Sequence, residues 1–376
     1  MKKIGITGQA GFVGTHLFNT LAHFPEEYER VPFDDAFFAD QVRLEEFVSE
    51  CDVIVHLAAM NRHNDPQTLY ETNLRLVNQV IGACEKTGAK PHILFSSSTQ
   101  EERDNLYGKS KREGRELFEQ WARRAGARFT GLVIPNVFGP FGHPYYNSVV
   151  ATFCHQLTHG EQPRIDVDGE INLIYVGDLV RAILEMIGQA AAGGDCVERV
   201  QVPHQATIRV TELLSKLSGF KEDYFDRGVF PDLSDPFERD LFNTFVCYID
   251  HKALYPVPLK LHTDARGSFV ETVKLKTGGQ VSFSTTVPGV TRGNHYHIRK
   301  AERFAVIRGK ARIELRRLGT DQIMSFELDG GSPSYVDMPI WHAHNITNIG
   351  NEDLFTIFWI SEHYDPSDPD TYFETV

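Results

Sequence analysis

The chain has no Cys-x-x-Cys pair, no basic tract, no long apolar run, no internal repeat and no low-complexity segment. Its five cysteines, Cys51, Cys84, Cys154, Cys196 and Cys247, are scattered, which speaks against a disulfide framework and fits a reducing compartment. The net charge is −13, from 38 basic and 51 acidic residues, so neither nucleic acid nor an anionic membrane surface is an expected partner. No stretch approaches the roughly 18 apolar residues of a membrane-spanning helix. The first residues, Met1 to Gly8, enter a strand and a glycine turn rather than a signal-peptide pattern. These absences leave a soluble, cytoplasmic protein as the expectation. What is present is ordinary for a globular chain: 41% hydrophobic and 24% charged residues over 376, enough for two or three domains.

From Lys3 onward, short apolar runs alternate with amphipathic stretches. Ile4 to Thr7 reads as a buried strand, and Gly8-Gln9-Ala10-Gly11-Phe12-Val13-Gly14 as a turn that opens a helix through about Ala22. Glycines three apart permit a tight turn, close approach of a pyrophosphate and close packing of helix on strand, while the helix N-terminus favours the anion. A second strand, near Glu29 to Phe33, ends at Asp34-Asp35, roughly 20 residues past the last glycine. A carboxylate there would bind the ribose hydroxyls of NAD and repel the extra phosphate of NADP; the alternative is a solvated loop. Asp52 to Ala59 is the next buried strand, and Leu57 and Ala58 at its end leave room for a dinucleotide. A helix follows from about Pro66 to Lys86, then a strand from Ile93 to Ser98.

Tyr107 and Lys111 lie four apart at the start of the next helix, hence on one face. An ammonium beside a phenol favours the phenolate and lowers the tyrosine pKa, so such a pair can exchange a proton near neutrality. A serine at the preceding strand end could position a carbonyl undergoing reduction.

Residues 1 to about 245 resemble the extended short-chain dehydrogenase/reductase family, which acts largely on nucleotide sugars. The resemblance rests on Thr7-Gly8-x-x-Gly11-x-x-Gly14, His56-Leu57-Ala58-Ala59, Ser96-Ser97-Ser98, Tyr107-x-x-x-Lys111 and Pro135-Asn136-Val137-Phe138-Gly139-Pro140. It implies a Rossmann fold with NAD(P) held by Gly8, Gly11, Phe12, Val13, Gly14, Asp34, Leu57, Ala58 and Lys111. It also implies Tyr107 as general acid or base, Lys111 tuning it, and Ser98 assisting, with Ser97 as the alternative. Asn73 matches a family asparagine, and Tyr146-Asn147-Ser148 and Tyr175-Val176-Gly177-Asp178 match the region that covers the sugar nucleotide. Two features depart from the family: Asp34-Asp35 stands where an NADPH user would place a basic residue, and Val133 or Ile134 replaces a family arginine.

Past Cys247 the pattern changes. Residues 249–258 read as a linker, because Pro256 and Pro258 interrupt any regular element. Short strands then alternate with turns at intervals near ten residues, among them Gln280–Ser284, Arg303–Ile307, Ala311–Leu315 and Leu354–Trp359, the cue for an all-β barrel or jelly roll. On an extended strand His295 and His297 point to one face and can reach one metal together. Glu302 offers a carboxylate, and His342 and His344 offer further imidazoles on a later strand. Three histidines and one glutamate suit zinc or a similar borderline metal.

Residues 259–376 resemble a cupin, through Gly293-x-His295-x-His297-x4-Glu302-x6-Gly309 and Pro339-x4-His344-x3-Asn348. That likeness selects His344 over His342 as the fourth ligand. Asp264-x-Arg266-Gly267-x-Phe269-x-Glu271 and Gly289 to Tyr296 are similar to 4-keto-6-deoxysugar nucleotide epimerases, in which the residue matching His295 is a base without metal. Reductase followed by cupin, down to Pro366-x-x-Pro369-Asp370-Thr371-Tyr372-Phe373, resembles a family of bifunctional enzymes of capsular polysaccharide synthesis. The resemblance implies a reductase domain over 1–248 and a cupin epimerase domain over 259–376. The cupin would epimerise a UDP-linked 4-keto-6-deoxy-N-acetylhexosamine at carbon 3. The reductase would then reduce the 4-keto group with NADPH, or NADH given Asp34, to UDP-2-acetamido-2,6-dideoxy-L-talose, in a homodimer formed through the cupin. Three other readings stay open. One is a single-activity reductase with a structural, dimerising cupin; another is a nonenzymatic sugar-nucleotide sensor. The third is a 4,6-dehydratase, which would want a carboxylate directly after the serine, where Thr99-Gln100 stands with Glu101 and Glu102 a little late.

Overall fold

Strand β1 (Lys2–Thr7) is buried on both faces from Ile4 onward, with the small Gly5 and Thr7 alternating with Ile4 and Ile6, as a strand covered by helices on either side must be. The computed structural model describes residues 1–189 and 196–376. With β2 (Tyr28–Val31), β3 (Val53–His56), β4 (His92–Ser98), β5 (Phe129–Ile134) and, further on, Val197–Gln201, β1 forms a parallel sheet. Counted from the Tyr28–Val31 edge, the sheet runs β2-β1-β3-β4-β5 and then Val197–Gln201. Alternating strand residues supply two separate cores. Ile54, Ile93, Phe95 and Phe129 pack against α2 (Gln41–Glu50), α3 (Pro66–Thr87) and α4 (Leu106–Ala125). Ile6, Val55, Leu94 and Leu132 pack with residues of α1 (Phe12–Leu21) and of the helix Val176–Gln189. Strand order reverses between β1 and β3, and ligands of such sheets bind beyond the strand ends at that point. Gly8 and Leu57 both lie there.

A small sheet of Asn136–Phe138, Glu170–Tyr175 and Ala206–Arg209 completes the first unit, residues 1–149 with 169–209. The second unit comprises residues 150–168 and 210–376. Its centre is two five-stranded sheets. One holds Val257–Pro258, Ser334–Met338, Glu302–Arg308, Leu354–Ile360 and Gln280–Thr286; the other holds Ile323–Asp329, Lys310–Arg317, His342–Asn348, Thr291–Tyr296 and Tyr372–Phe373. All their pairings are antiparallel. Ala305, Val306, Ala311, Ile313, Leu315, Val336 and Leu354 are fully buried between them. The α/β domain and the jelly roll are those expected from the sequence.

The position of the boundary differs from the expected one. Residues 210–248, assigned above to the reductase domain, belong to the compact unit that contains the barrel. Phe230 stacks at 4.3 Å on Trp359 of the barrel, and Asn243 donates to the Arg299 carbonyl at 2.6 Å. The segment 249–258 is ordered structure rather than a free linker. Asp250 caps the short helix His251–Leu254 through Ala253 N at 3.1 Å, and Val257–Pro258 pairs with Ser334 and Tyr335 as an edge strand, where proline is tolerated. No helix among the described residues is long and apolar enough to cross a membrane.

Candidate functional site

The glycine turn has the form a dinucleotide needs. Gly8 adopts φ 70°, and a Cβ there would lie 2.9 Å from the Ala58 backbone. A Cβ on Gly14 would lie 2.3 Å from the Gly8 carbonyl oxygen. Turn, helix and the end of β3 are therefore as close as backbone allows. Phe12 and Val13 stand in the first turn of α1, where N–H groups have no intrahelical partner and suit an anion. Thr7 binds the two strands together, its carbonyl accepting from Leu57 N at 3.1 Å. Asp34 is exposed just past β2, its carboxylate accepting from Ala36 N at 2.8 Å, and the Phe33 amide donates to Gln9 of the glycine turn at 3.3 Å. These residues fit a bound NAD(P).

Tyr107 and Lys111 share one face of α4, as their spacing requires. The Tyr107 phenol donates to Asn61 Oδ1 at 3.2 Å, and Ser98 lies beside it, where its hydroxyl favours the phenolate. Ser97 points the other way on β4 and donates to the buried Glu101, so the structure selects Ser98 as the serine beside the phenol. Lys111, 4% exposed, donates to the Ser96 carbonyl at 2.9 Å, with Nζ 5.8 Å from the Tyr107 ring centre. The expected lowering of the tyrosine pKa is not found in this form. Burial pushes the phenol up to about 12, Tyr146 adds to the rise, and only the nearby Ser98 hydroxyl opposes it. The ammonium does not prevail because burial works on it too, bringing Lys111 down to about 8 against the pull of Glu101.

Glu101 is held by Arg115 Nε at 3.1 and 3.2 Å, with Arg199 at 3.6 Å. A carboxylate so engaged by two arginines is turned to structure rather than to a substrate, which weighs against the dehydratase reading at Glu101, while Glu102 is exposed. Asn73 accepts from Met60 N at 2.7 Å and donates to Ser110, fixing the loop after β3. Spacing did not reveal Asn61, which links Tyr107 to Tyr146: its backbone N–H donates to the Tyr146 hydroxyl at 3.2 Å. Arg62 donates to the Tyr145 and Tyr146 carbonyls at 2.6 and 3.1 Å, holding that segment in place. Tyr175 and Asp178 serve packing and a helix ion pair, Tyr175 lying 5.6 Å from Phe138 and Asp178 3.0 Å from Arg181.

In the second unit, His295, His297, Glu302 and His344 converge, with one potential ligand atom of each within 4.8 Å of the others. His295 lies on Thr291–Tyr296, His297 just beyond that strand, Glu302 at the start of the next, and His344 on the strand paired opposite His295. His297 Nδ1 donates to the Asp370 carbonyl and His344 Nδ1 to the His342 carbonyl at 3.1 Å. Both Nε2 atoms therefore point at the cluster, 3.1 and 3.4 Å from Glu302 Oε2, and all three atoms are buried without a hydrogen bond. Buried polar atoms are rarely left so unless an ion or water completes them. Burial brings His295 down to about 4. It also raises the Glu302 carboxyl, but the two imidazoles outweigh it and hold the group well below the usual range. His342 turns instead to the Ile340 carbonyl at 3.0 Å and lies outside the cluster. Donor set, tautomers and orphaned atoms fit a divalent metal.

Residues 4–198 match the NAD dependent epimerase/dehydratase family, and residues 262–372 the polysaccharide biosynthesis C-terminal domain. The UDP-2-acetamido-2,6-beta-L-arabino-hexul-4-ose reductase of Pseudomonas aeruginosa is 35% identical over 375 residues, 98% of either chain. The crystal structure of the capsular polysaccharide assembling protein CapF from Staphylococcus aureus is 34% identical and matches over all of both chains with a TM-score of 0.63. A UDP-glucose 4-epimerase from Thermotoga maritima, 22% identical over 66% of this chain and 98% of its own, shares the fold with a TM-score of 0.56. The chain belongs to the NAD dependent epimerase/dehydratase family, among members that also carry the polysaccharide biosynthesis C-terminal domain. Membership implies NAD(P) binding in the first unit, in accord with the glycine turn.

Proposed function

We propose that the chain is a sugar-nucleotide reductase of capsular or O-antigen polysaccharide synthesis. Its substrate would be a UDP-linked 4-keto-6-deoxy-N-acetylhexosamine, epimerised at carbon 3 in the cupin and then reduced at carbon 4. The product would be UDP-2-acetamido-2,6-dideoxy-L-talose. The observation that carries the reduction is the half-buried Tyr107 phenol, close enough to Ser98 to feel it electrostatically and one helical turn from Lys111. The full-length likeness to a UDP-hexulose reductase supports the substrate class. Nicotinamide, as NADPH or NADH, supplies the reducing equivalents when bound. Tyr107 delivers the proton to the developing alkoxide, Ser98 orients the carbonyl, and Lys111 holds positive charge beside them. The exposed Asp34 favours the coenzyme without the 2′-phosphate.

For the epimerisation, His295, His297, Glu302 and His344 would hold zinc, which when bound is a Lewis acid for a ketone. In a metal-free cupin His295 would instead be the base. Homodimerisation through the cupin is supported by Val281 and Phe283, 60% and 72% exposed along the edge strand Gln280–Thr286. A single-activity reductase with a structural cupin is the competing reading, favoured by the relative's name, which specifies reduction alone.

Proton NMR in deuterated water with the keto-sugar separates the two. Deuterium at carbon 3 without coenzyme, lost in His295→Ala, followed by a talo product on adding coenzyme, is the expected result. Reduction with no exchange at carbon 3 would leave only the reductase.

A further inference from the structure

The C-terminal strap closes over the metal-ligand loop at a single buried carboxylate. Residues 297–301 join two of the cluster's side chains, His297 and Glu302, and form no strand of their own. Asp370, 2% exposed and at φ 40°, reaches into this loop from the far end of the chain. One of its oxygens accepts from Ile298 N at 3.1 Å, and the other from Arg299 N at 3.0 Å and Lys300 N at 2.9 Å. Its backbone carbonyl accepts from His297 Nδ1. A left-handed conformation at a non-glycine residue is costly and persists where surrounding contacts over-determine it.

The contacts around Asp370 do so. Lys300 Nζ donates to the Pro369 carbonyl at 2.6 Å and to Thr371 at 3.3 Å. Arg299 pairs with Glu362 at 2.8 Å and Asp368 at 3.0 Å. Past Asp370, Tyr372 and Phe373 pair with Tyr296 and His295 as an added strand. On the other side of the loop, the His297 carbonyl accepts from Trp341 N at 2.7 Å. His297 is thereby held at both its backbone and its ring.

We infer that Asp370 is a positioning residue of the metal centre: it fixes the 297–301 loop with its carboxylate and the tautomer and angle of His297 with its carbonyl. The inference rests on the metal reading above. A carbonyl behind a ligand imidazole keeps the opposite nitrogen unprotonated and aimed, and losing such a partner weakens metal binding about 10–100-fold. The loop's three amides, with one acceptor residue in common, make the effect depend on the strap rather than on His297 alone.

The test uses the full chain, stripped of metal and titrated with Zn2+ against a chromophoric chelator, with Co2+ as spectroscopic probe. Asp370→Ala keeps the backbone carbonyl but frees the loop amides that fix its aim at His297. It is expected to bind Zn2+ about 10-fold more weakly than the unaltered protein, the low end of the range for a lost partner, and to shift the visible Co2+ bands. Asp370→Asn, which retains one acceptor oxygen, recovers part of the loss. Lys300→Met, which loosens the strap without touching Asp370 or any ligand, weakens Zn2+ in the same direction and serves if Asp370→Ala does not fold. Unchanged Zn2+ affinity in folded Asp370 and Lys300 variants, even with lower melting temperatures of the stripped proteins, would overturn the inference and leave the strap purely structural. Failure of the unaltered protein to take up Zn2+ would instead overturn the metal reading beneath it.

Discussion

Lys111 is the residue at which stability and chemistry conflict most sharply. It is 4% exposed, and burial lowers its pKa from 10.5 to about 8. Below pH 8 the folded protein therefore carries a buried ammonium that the unfolded chain would hold in water. The shift corresponds to a cost on the order of 3 kcal/mol at neutral pH. Between pH 8 and the unfolded value the unfolded chain binds more protons than the folded one, so stability rises with pH across that window and the cost vanishes above it. Lys111→Met is expected to abolish reduction yet raise the melting temperature at pH 7, and to lose that advantage by about pH 10.5. Melting curves of both proteins at pH 7, 9 and 10.5 check this; a methionine variant less stable at pH 7 would show that the bond to Ser96 outweighs desolvation.

The glycine turn shows at the level of an element how far local spacing reaches. Its position after the first strand, the Tyr107–Lys111 face and the His295–His297 pair were legible because each depends on a repeat of three, four or two residues within one element. The angle between turn and helix depends on backbone contact, which the glycines only permit. Gly14→Ala would set a methyl 2.3 Å from the Gly8 oxygen and 2.9 Å from Gln9 Cα, neither of which is a flexible side chain. The expected result is a loss of about 1–3 kcal/mol in stability and weaker NADPH and NADH binding, read by thermal melting and coenzyme fluorescence. Binding equal to that of the unaltered protein would mean that the helix shifts without disturbing the pyrophosphate cradle. Asn61 and Asp370 had no such signal. Each acts through partners distant in sequence, Asn61 on Tyr146 and Asp370 on residues 70 or more positions away. The Asp34 carboxylate was legible as a residue, but its capping of the turn that follows was not.

For the whole molecule, the expected boundary near residue 248 followed a change of style from mixed to all-β sequence, and that change does not coincide with where the chain packs. The backbone passes between the two units at residues 149–150, 168–169 and 209–210. The short helix Lys221–Phe225 and the strand Val229–Phe230 present aromatic residues whose partners lie in the barrel, and helix Pro236–Val246 packs behind them. Tyr224 donates to Asp337 at 2.7 Å, and Arg303, 2% exposed, clasps the same carboxylate at 2.7 and 2.8 Å while donating to the Gly228 carbonyl at 2.9 Å. Phe230 stacks on Trp359, and Phe242 packs on Phe230 and Tyr224. A fragment ending at residue 248 would bare Phe230 and Tyr224 and strand the Gly228 carbonyl, while a fragment starting at 259 would leave Arg303 and Asp337 paired but uncovered. Buried ion pairs tolerate the loss of their surroundings poorly, and exposed aromatic clusters associate. Fragment 1–248 is therefore expected to aggregate or to melt well below the full chain, measured by size-exclusion chromatography and circular dichroism. A monomeric 1–248 fragment that melts cooperatively and binds NADPH or NADH as tightly as the full chain would return residues 210–248 to the reductase domain.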